Sequence, residues 1–179
     1  MKSLKSVAVL LLSLVTGLAV ANENEPPPIN LEPLARFTVN LEAPVWELGV
    51  VGPQGKRRII SITSGHFDGP RFKGKILNNG ADWQLVDSNG VANIDTRYLL
   101  ETDDGALIYL QTKGYRHGPA DVLAKVAKGE PVDPSLYYFR VTLQFEASDP
   151  KYKWLNSMVG VGSAMRLQNA VIYDAFLVR

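Results

Sequence analysis

A chain of 179 residues with a formal net charge of +1 is long enough for one domain with a substantial core, and no segment has the basic density of a nucleic-acid surface. It contains no cysteine, which excludes disulfides, thiolate zinc sites, thiol nucleophiles and lipid attachment through an N-terminal cysteine. The fold therefore has to be held by its apolar core, drawn from a composition that is 46% hydrophobic.

The chain opens as an export signal. Lys2 and Lys5 form a charged start, Val7 to Val15 an apolar stretch, and Ala19-Val20-Ala21 a small-residue cleavage site. Residues 1–21 are predicted to be a signal peptide cut after Ala21, which sends the chain to the periplasm or out of the cell. The apolar stretch is too short to span a bilayer, so no membrane span is expected after cleavage. Residues 22–33 read as a Pro-rich tether, because Pro26, Pro27 and Pro28 favour a polyproline II conformation. Residues 34–179 read as a single β domain.

Strand signals follow in close order. Ala35, Phe37, Val39 and Leu41 alternate with Arg36, Thr38, Asn40 and Glu42, the pattern of a half-buried strand. Val45–Val51 continues after Pro44, and Lys56–Thr63 forms the next strand. The basic run Lys56-Arg57-Arg58 that opens it reads as a solvated strand start. Ser64–Arg71 reads as a loop. Further strands are predicted over Phe72–Leu77, Asp82–Val86, Val91–Leu100 and Ala106–Lys113. The turn pairs Asn79-Gly80, Asn89-Gly90 and Asp104-Gly105 punctuate them, as Gly52-Pro53 and Asp68-Gly69 do earlier in the chain. One short helix starts at Pro119, carries Val122, Leu123 and Val126 on one side, and ends at Gly129. Tyr137–Glu146 alternates cleanly, and Val159–Leu167 and Ala170–Val178 close the chain. The fold class is all-β: a closed antiparallel barrel of about nine or ten strands, mostly up-and-down, with one short helix.

Motifs for metals and cofactors are missing. His66 and His117 are far apart in sequence and lack metal-ligand spacing. Gly160-Val161-Gly162-Ser163-Ala164 fits neither a nucleophile elbow nor a dinucleotide fingerprint. No metal or cofactor is expected.

Several motifs recur in a recognisable order. Gly65, Gly69, Pro70 and Gly74 are followed by Gly80-x-Asp82-Trp83, Asp95-x-Arg97-Tyr98 and Asp104-Gly105. Tyr138-Phe139-Arg140 and Trp154-Leu155-Asn156 come next. The ordered set resembles the domain-of-unknown-function 3237 family, also known as uncharacterised protein family 0311, over roughly Leu34 to Arg179. The resemblance implies a calycin-like antiparallel barrel and no assigned reaction.

Within those motifs, Asp82 reads as a general base or polar anchor, with Trp83 stacking on a ligand, or as a turn carboxylate beside a core tryptophan. Asp95 and Arg97 are two apart on one strand and share a face. Turned inward, they form an ion pair beside a cavity, with Asp95 a second candidate base. Turned outward, they are a surface pair. Tyr138 and Arg140 share the face opposite the aromatic and aliphatic one, which puts them outside a simple barrel and inside a polar-lined one. Trp154 and Asn156 follow Pro150 in a loop, suited either to ligand capture at a barrel mouth or to capping the core.

The leading expectation is a protein that binds a small organic molecule in its lumen. The first rival is a cofactor-independent isomerase, lyase or cyclase with an Asp–Arg–Tyr pocket. The second is a structural module, with homo-oligomerisation left open and no nucleic-acid partner.

Overall fold

The computed structural model describes residues 24–179; the signal expected at residues 1–21 lies outside the described residues. Ten strands form one antiparallel sheet that closes on itself. They are β1 (Leu31–Leu41), β2 (Trp46–Val50), β3 (Lys56–Asp68), β4 (Lys73–Ile76), β5 (Gly80–Val86), β6 (Ala92–Thr102), β7 (Leu107–His117), β8 (Tyr138–Ala147), β9 (Gly160–Arg166) and β10 (Ala170–Val178). One helix, α1 (Ala120–Ala127), lies between β7 and β8. Because β1 starts at Leu31, the last three residues of the expected tether belong to the barrel.

Each strand follows its chain neighbour around the barrel until β10 meets β1, so the topology is up-and-down. Eight strands make the barrel proper. The long β3 explains the two extra ones. Its second half pairs with β1 and β4, and its first half pairs with β2 and β5. β4 and β5 thus occupy one position in turn, and β2 continues the β1 side after a cis Ala43–Pro44 peptide.

The segment Ser64–Arg71 departs from its sequence reading. It was expected to be a loop, yet β3 runs on through Asp68, pairing with β1 on one side and β4 on the other. Two available edges outweigh the local glycine and histidine content. Gly65, at φ +154°, supplies a conformation that a side chain would strain, and its missing Cβ leaves room for the Thr38 carbonyl. His66 and His117 accordingly lie at exposed positions on strands β3 and β7 and not in loops. Asn89-Gly90 and Asp104-Gly105 do turn with positive φ at the glycine. Asn79-Gly80 does not; it marks the step from β4 to β5.

Alternation decides which residues enter the barrel. On β8, Phe139, Val141, Leu143, Phe145 and Ala147 are buried, while the intervening Tyr138, Arg140, Thr142, Gln144 and Glu146 are exposed. One end of the interior is packed with aromatic rings. Phe37 stacks on Tyr173 at 4.7 Å and on Phe67 at 5.5 Å, and Phe72 lies 5.0 Å from Phe67. A 3-10 turn at Lys153–Ser157 closes this end with the buried Leu155. Asp104 in the β6–β7 turn accepts hydrogen bonds from Thr102, Lys151 and Tyr152, which hold its carboxyl well below the usual range. The helix packs its apolar side against the core through buried Val126 and half-buried Val122 and Leu123.

Phe37 contacts three rings, Phe67, Phe72 and Tyr173, and has no exposed surface. Phe37→Ala is expected to destabilise the barrel by about 3–5 kcal/mol, read from urea unfolding midpoints.

Candidate functional site

The other half of the barrel interior is neither solid nor apolar. A cavity there is walled by Val39, Leu41, Ile60, Ile62, Val141 and Val171, and into these walls are set Asp82, Gln84, Thr96, Thr112, Arg116 and Arg166. It holds about 550 Å³ of unfilled space counted out to its mouth, of which about 50 Å³ is open to the centre of a water molecule. That is a narrow slot, roomier than the ~10–15 Å³ that one water needs. Tyr98 and Tyr173 line its inner part, their hydroxyls 2.6 Å apart.

Strand parity puts the polar groups there. Arg58 is two residues from inward-facing Ile60 on β3, and its cross-strand partner is Gln84. Asp82 and Gln84 share the inner face of β5. Arg116 follows Ile108, Leu110, Thr112 and Gly114 on β7, and Arg166 follows Gly160, Gly162 and Ala164 on β9.

Asp82 is the one carboxyl among the residues that line this cavity. The β5–β6 ladder pairs at Ala81–Asp82 and again at Leu85–Val86, skipping Trp83 and Gln84. In the gap, the Asp95 backbone N–H donates to Asp82 Oδ1 at 3.1 Å, and Gln84 Nε2 donates to Oδ2 at 3.0 Å. The Trp83 carbonyl accepts from Arg57. Burial pushes the Asp82 carboxyl up to about 6, against the downward pull of those two hydrogen bonds and of Arg116. Gln84 Oε1 is buried without a hydrogen-bond partner. Turning that amide over would let it accept from a protonated Asp82. A carboxyl in this setting can give or take a proton near neutral pH.

The other nominated residues are elsewhere. Asp95 and Arg97 are on the outer face of β6, so the inward reading of that pair is corrected: Ile94, Thr96, Tyr98 and Leu100 hold the inner positions. There Asp95 accepts from Arg97 at 3.0 Å and from Gln111 at 2.8 Å, and the Arg97 guanidinium lies 5.5 Å from the Trp83 ring, also outside. Tyr138 and Arg140 are on the outer face of β8, where Tyr138 stacks on His117 at 4.8 Å. Trp154 is at the closed end, with the Arg71 guanidinium 3.5 Å over its ring. Asn156 ties the 3-10 turn to β8, accepting from the Ala147 N–H at 2.7 Å and donating to its carbonyl at 2.9 Å. Of the nominated residues, only Asp82 lines the cavity.

Comparison with known proteins fits this architecture. The family described as "Protein of unknown function (DUF3237)" matches residues 29–178. The chain belongs to the DUF3237 family. A UPF0311 protein from Rhodopseudomonas palustris is 42% identical over 130 residues, covering 73% of this chain and 84% of its own. A crystal structure of a β-barrel-like protein from Acinetobacter baumannii is 68% identical with a TM-score of 0.78, covering 88% of this chain and all of that one. A protein from Penicillium herquei named hydroalkoxylation enzyme phnH is 27% identical over 158 residues, covering 88% of this chain and 89% of its own.

For this DUF3237 chain, sequence reasoning missed Arg58, Arg116, Arg166, Gln84 and the tyrosine pair. A signal existed: counting by twos from Ile60, Ile108 and Gly160 puts all three arginines on inner faces. Instead, Arg58 was absorbed into a basic run read as solvated.

The raised Asp82 value has a consequence for stability. Its carboxyl titrates at about 6 in the fold, above the roughly 3.9 of an unfolded aspartate, so its ionisation opposes folding. The group's contribution is most favourable below about pH 4 and is lost as pH rises through about 6, by on the order of 2–3 kcal/mol. Asp82→Asn keeps an acceptor for the Asp95 N–H and removes the charge. Its unfolding free energy is expected to gain on the wild type between pH 4.5 and 7.5; parallel pH curves would contradict the assignment.

Proposed function

We propose that the open half of the barrel is a cofactor-independent acid–base site for a small organic molecule, with Asp82 as the group that exchanges the proton. The observation that carries this is a buried carboxyl, raised to about 6, facing an unfilled cavity. The narrow slot and apolar walls suit a flat, mostly apolar molecule. The protein from Penicillium herquei named hydroalkoxylation enzyme phnH supports the class of chemistry.

Hydroalkoxylation adds an O–H bond across a carbon–carbon double bond, and no oxidant or reductant is needed. In this cavity the protonated Asp82 would deliver its proton to the alkene carbon. The substrate hydroxyl oxygen would bond to the neighbouring carbon, and the hydroxyl proton would return to the Asp82 carboxylate. The site ends as it began, and every atom of the substrate remains in the product. Asp95, bonded on the outer face to Arg97 and Gln111, has no part in this step.

The proposal includes export of the mature chain, on the strength of Lys2, Lys5, the apolar stretch and Ala19-Val20-Ala21.

Alkenyl phenols that can close to cyclic ethers are the direct test, with conversion followed by chromatography. Asp82→Asn is expected to cut turnover by roughly 10²-fold or more, the range for losing a general acid or base. Wild-type kcat/KM is expected to fall as pH rises through about 6, where Asp82 loses its proton. Turnover that survives in Asp82→Asn would overturn the assignment. Lumen binding without conversion of any phenol would replace it with a carrier.

A further inference from the structure

The charge in the lumen is lopsided. Arg116 and Arg166 line it from β7 and β9, against one carboxyl, Asp82 on β5, and Arg58 on β3 lies close enough to repel both. The acids nearby do not balance them. Glu47 on β2 is ion-paired with Arg58, its Oε1 3.0 Å from Nε, and so compensates Arg58 and neither of the two arginines that line the cavity. Asp95 on β6 faces outward, committed to Arg97 and Gln111.

The arginines are also short of acceptors. Among the described residues, the Arg116 guanidinium donates no hydrogen bond; its nearest ring is Phe139, 5.7 Å away. Arg166 makes one long contact, 3.4 Å, to the Ala170 carbonyl. Burial lowers the pKa values of both, and repulsion from Arg58 adds to it. Two guanidiniums in one partly dry lumen, with a third close by, repel one another unless an anion joins them. The walls between them are Val39, Leu41, Ile60, Ile62, Val141 and Val171, which favour a ligand with an apolar body.

We propose that Arg116 and Arg166 form an anion clamp, and that the lumen ligand is a small aromatic oxyanion, a carboxylate or phenolate on a flat apolar body. This rests on the lumen being the ligand site and does not depend on turnover. The charged end sits among the guanidinium donors, and the ring lies along the aliphatic walls toward Tyr98 and Tyr173. Asp82 neighbours the bound anion, so the complex favours its protonated form. Binding therefore tightens as pH falls toward 6.

Isothermal titration of the mature chain at pH 7.5 tests this with matched pairs: benzoate against benzamide, and 4-nitrophenolate against nitrobenzene. The pair with the larger preference identifies the oxyanion. The wild type is expected to prefer the anion by about tenfold or more, the worth of one charged hydrogen bond. Arg116→Gln and Arg166→Gln should each remove most of that preference without lowering thermal stability, since each relieves repulsion. Arg140→Gln, on the outer face, should change nothing. Asp82→Asn should keep or strengthen anion binding, so a failure of the acid–base reading leaves the clamp standing. Equal binding of anion and neutral partner, no binding of either, or a preference that survives both lumen variants would overturn the clamp. So would an equal loss in Arg140→Gln, or displacement of the aromatic anion by inorganic phosphate at equal affinity.

Discussion

The structure depends on β1 being hydrogen-bonded along both edges. It pairs with β10 on one side and with the second half of β3 on the other, and that double pairing turns a meander into a cylinder. A closed cylinder has only an inner and an outer face, and strand alternation assigns every side chain to one of them. A single-residue slip at the seam would bring Arg36, Thr38 and Asn40 inside in place of Phe37 and Val39. The Arg36–Asp174 ion pair and the Asn40–Ser64 hydrogen bond sit on the outside of this seam and are consistent with its register.

The inner face is divided between two kinds of physics. At one end Phe37, Phe67, Phe72, Phe145 and Tyr152 fill the space and supply apolar burial. At the other, guanidinium groups and a carboxyl face unfilled volume and oppose folding near neutral pH. Between them, the Tyr98 and Tyr173 hydroxyls share one hydrogen bond at a depth where an unpaired hydroxyl would be costly. The solid end thus offsets the cost of burying charge at the open one.

Much of the fold could be read from local pattern. The clean alternation of β8, the hairpins at Asn89-Gly90 and Asp104-Gly105, and the helix between Pro119 and Gly129 all follow from period and turn chemistry. Ser64–Arg71 could not be read that way. Its strand character comes from β1 and β4 lying on either side, which only the closed sheet supplies. The candidate site was less legible still. On β6, Asp95 and Arg97 alternate with Thr96 and Tyr98, so both faces mix polar and apolar groups and parity has no obvious sign. Tyr138 and Arg140 were drawn toward function by motif membership, although the apolar residues between them already claim the interior.

Arg116 and Arg166 stood in no motif and close strands whose other inner residues are apolar or small. Their meaning comes from meeting in the barrel interior, on strands separated in the chain by α1 and β8. The sequence by itself determined that short antiparallel strands with glycine turns would bury one face of each, because period-two alternation is a local property of the chain. Only the tertiary structure decided that Arg116, Arg166 and Asp82 share one cavity, because electrostatic proximity depends on how distant strands are wound around a common axis.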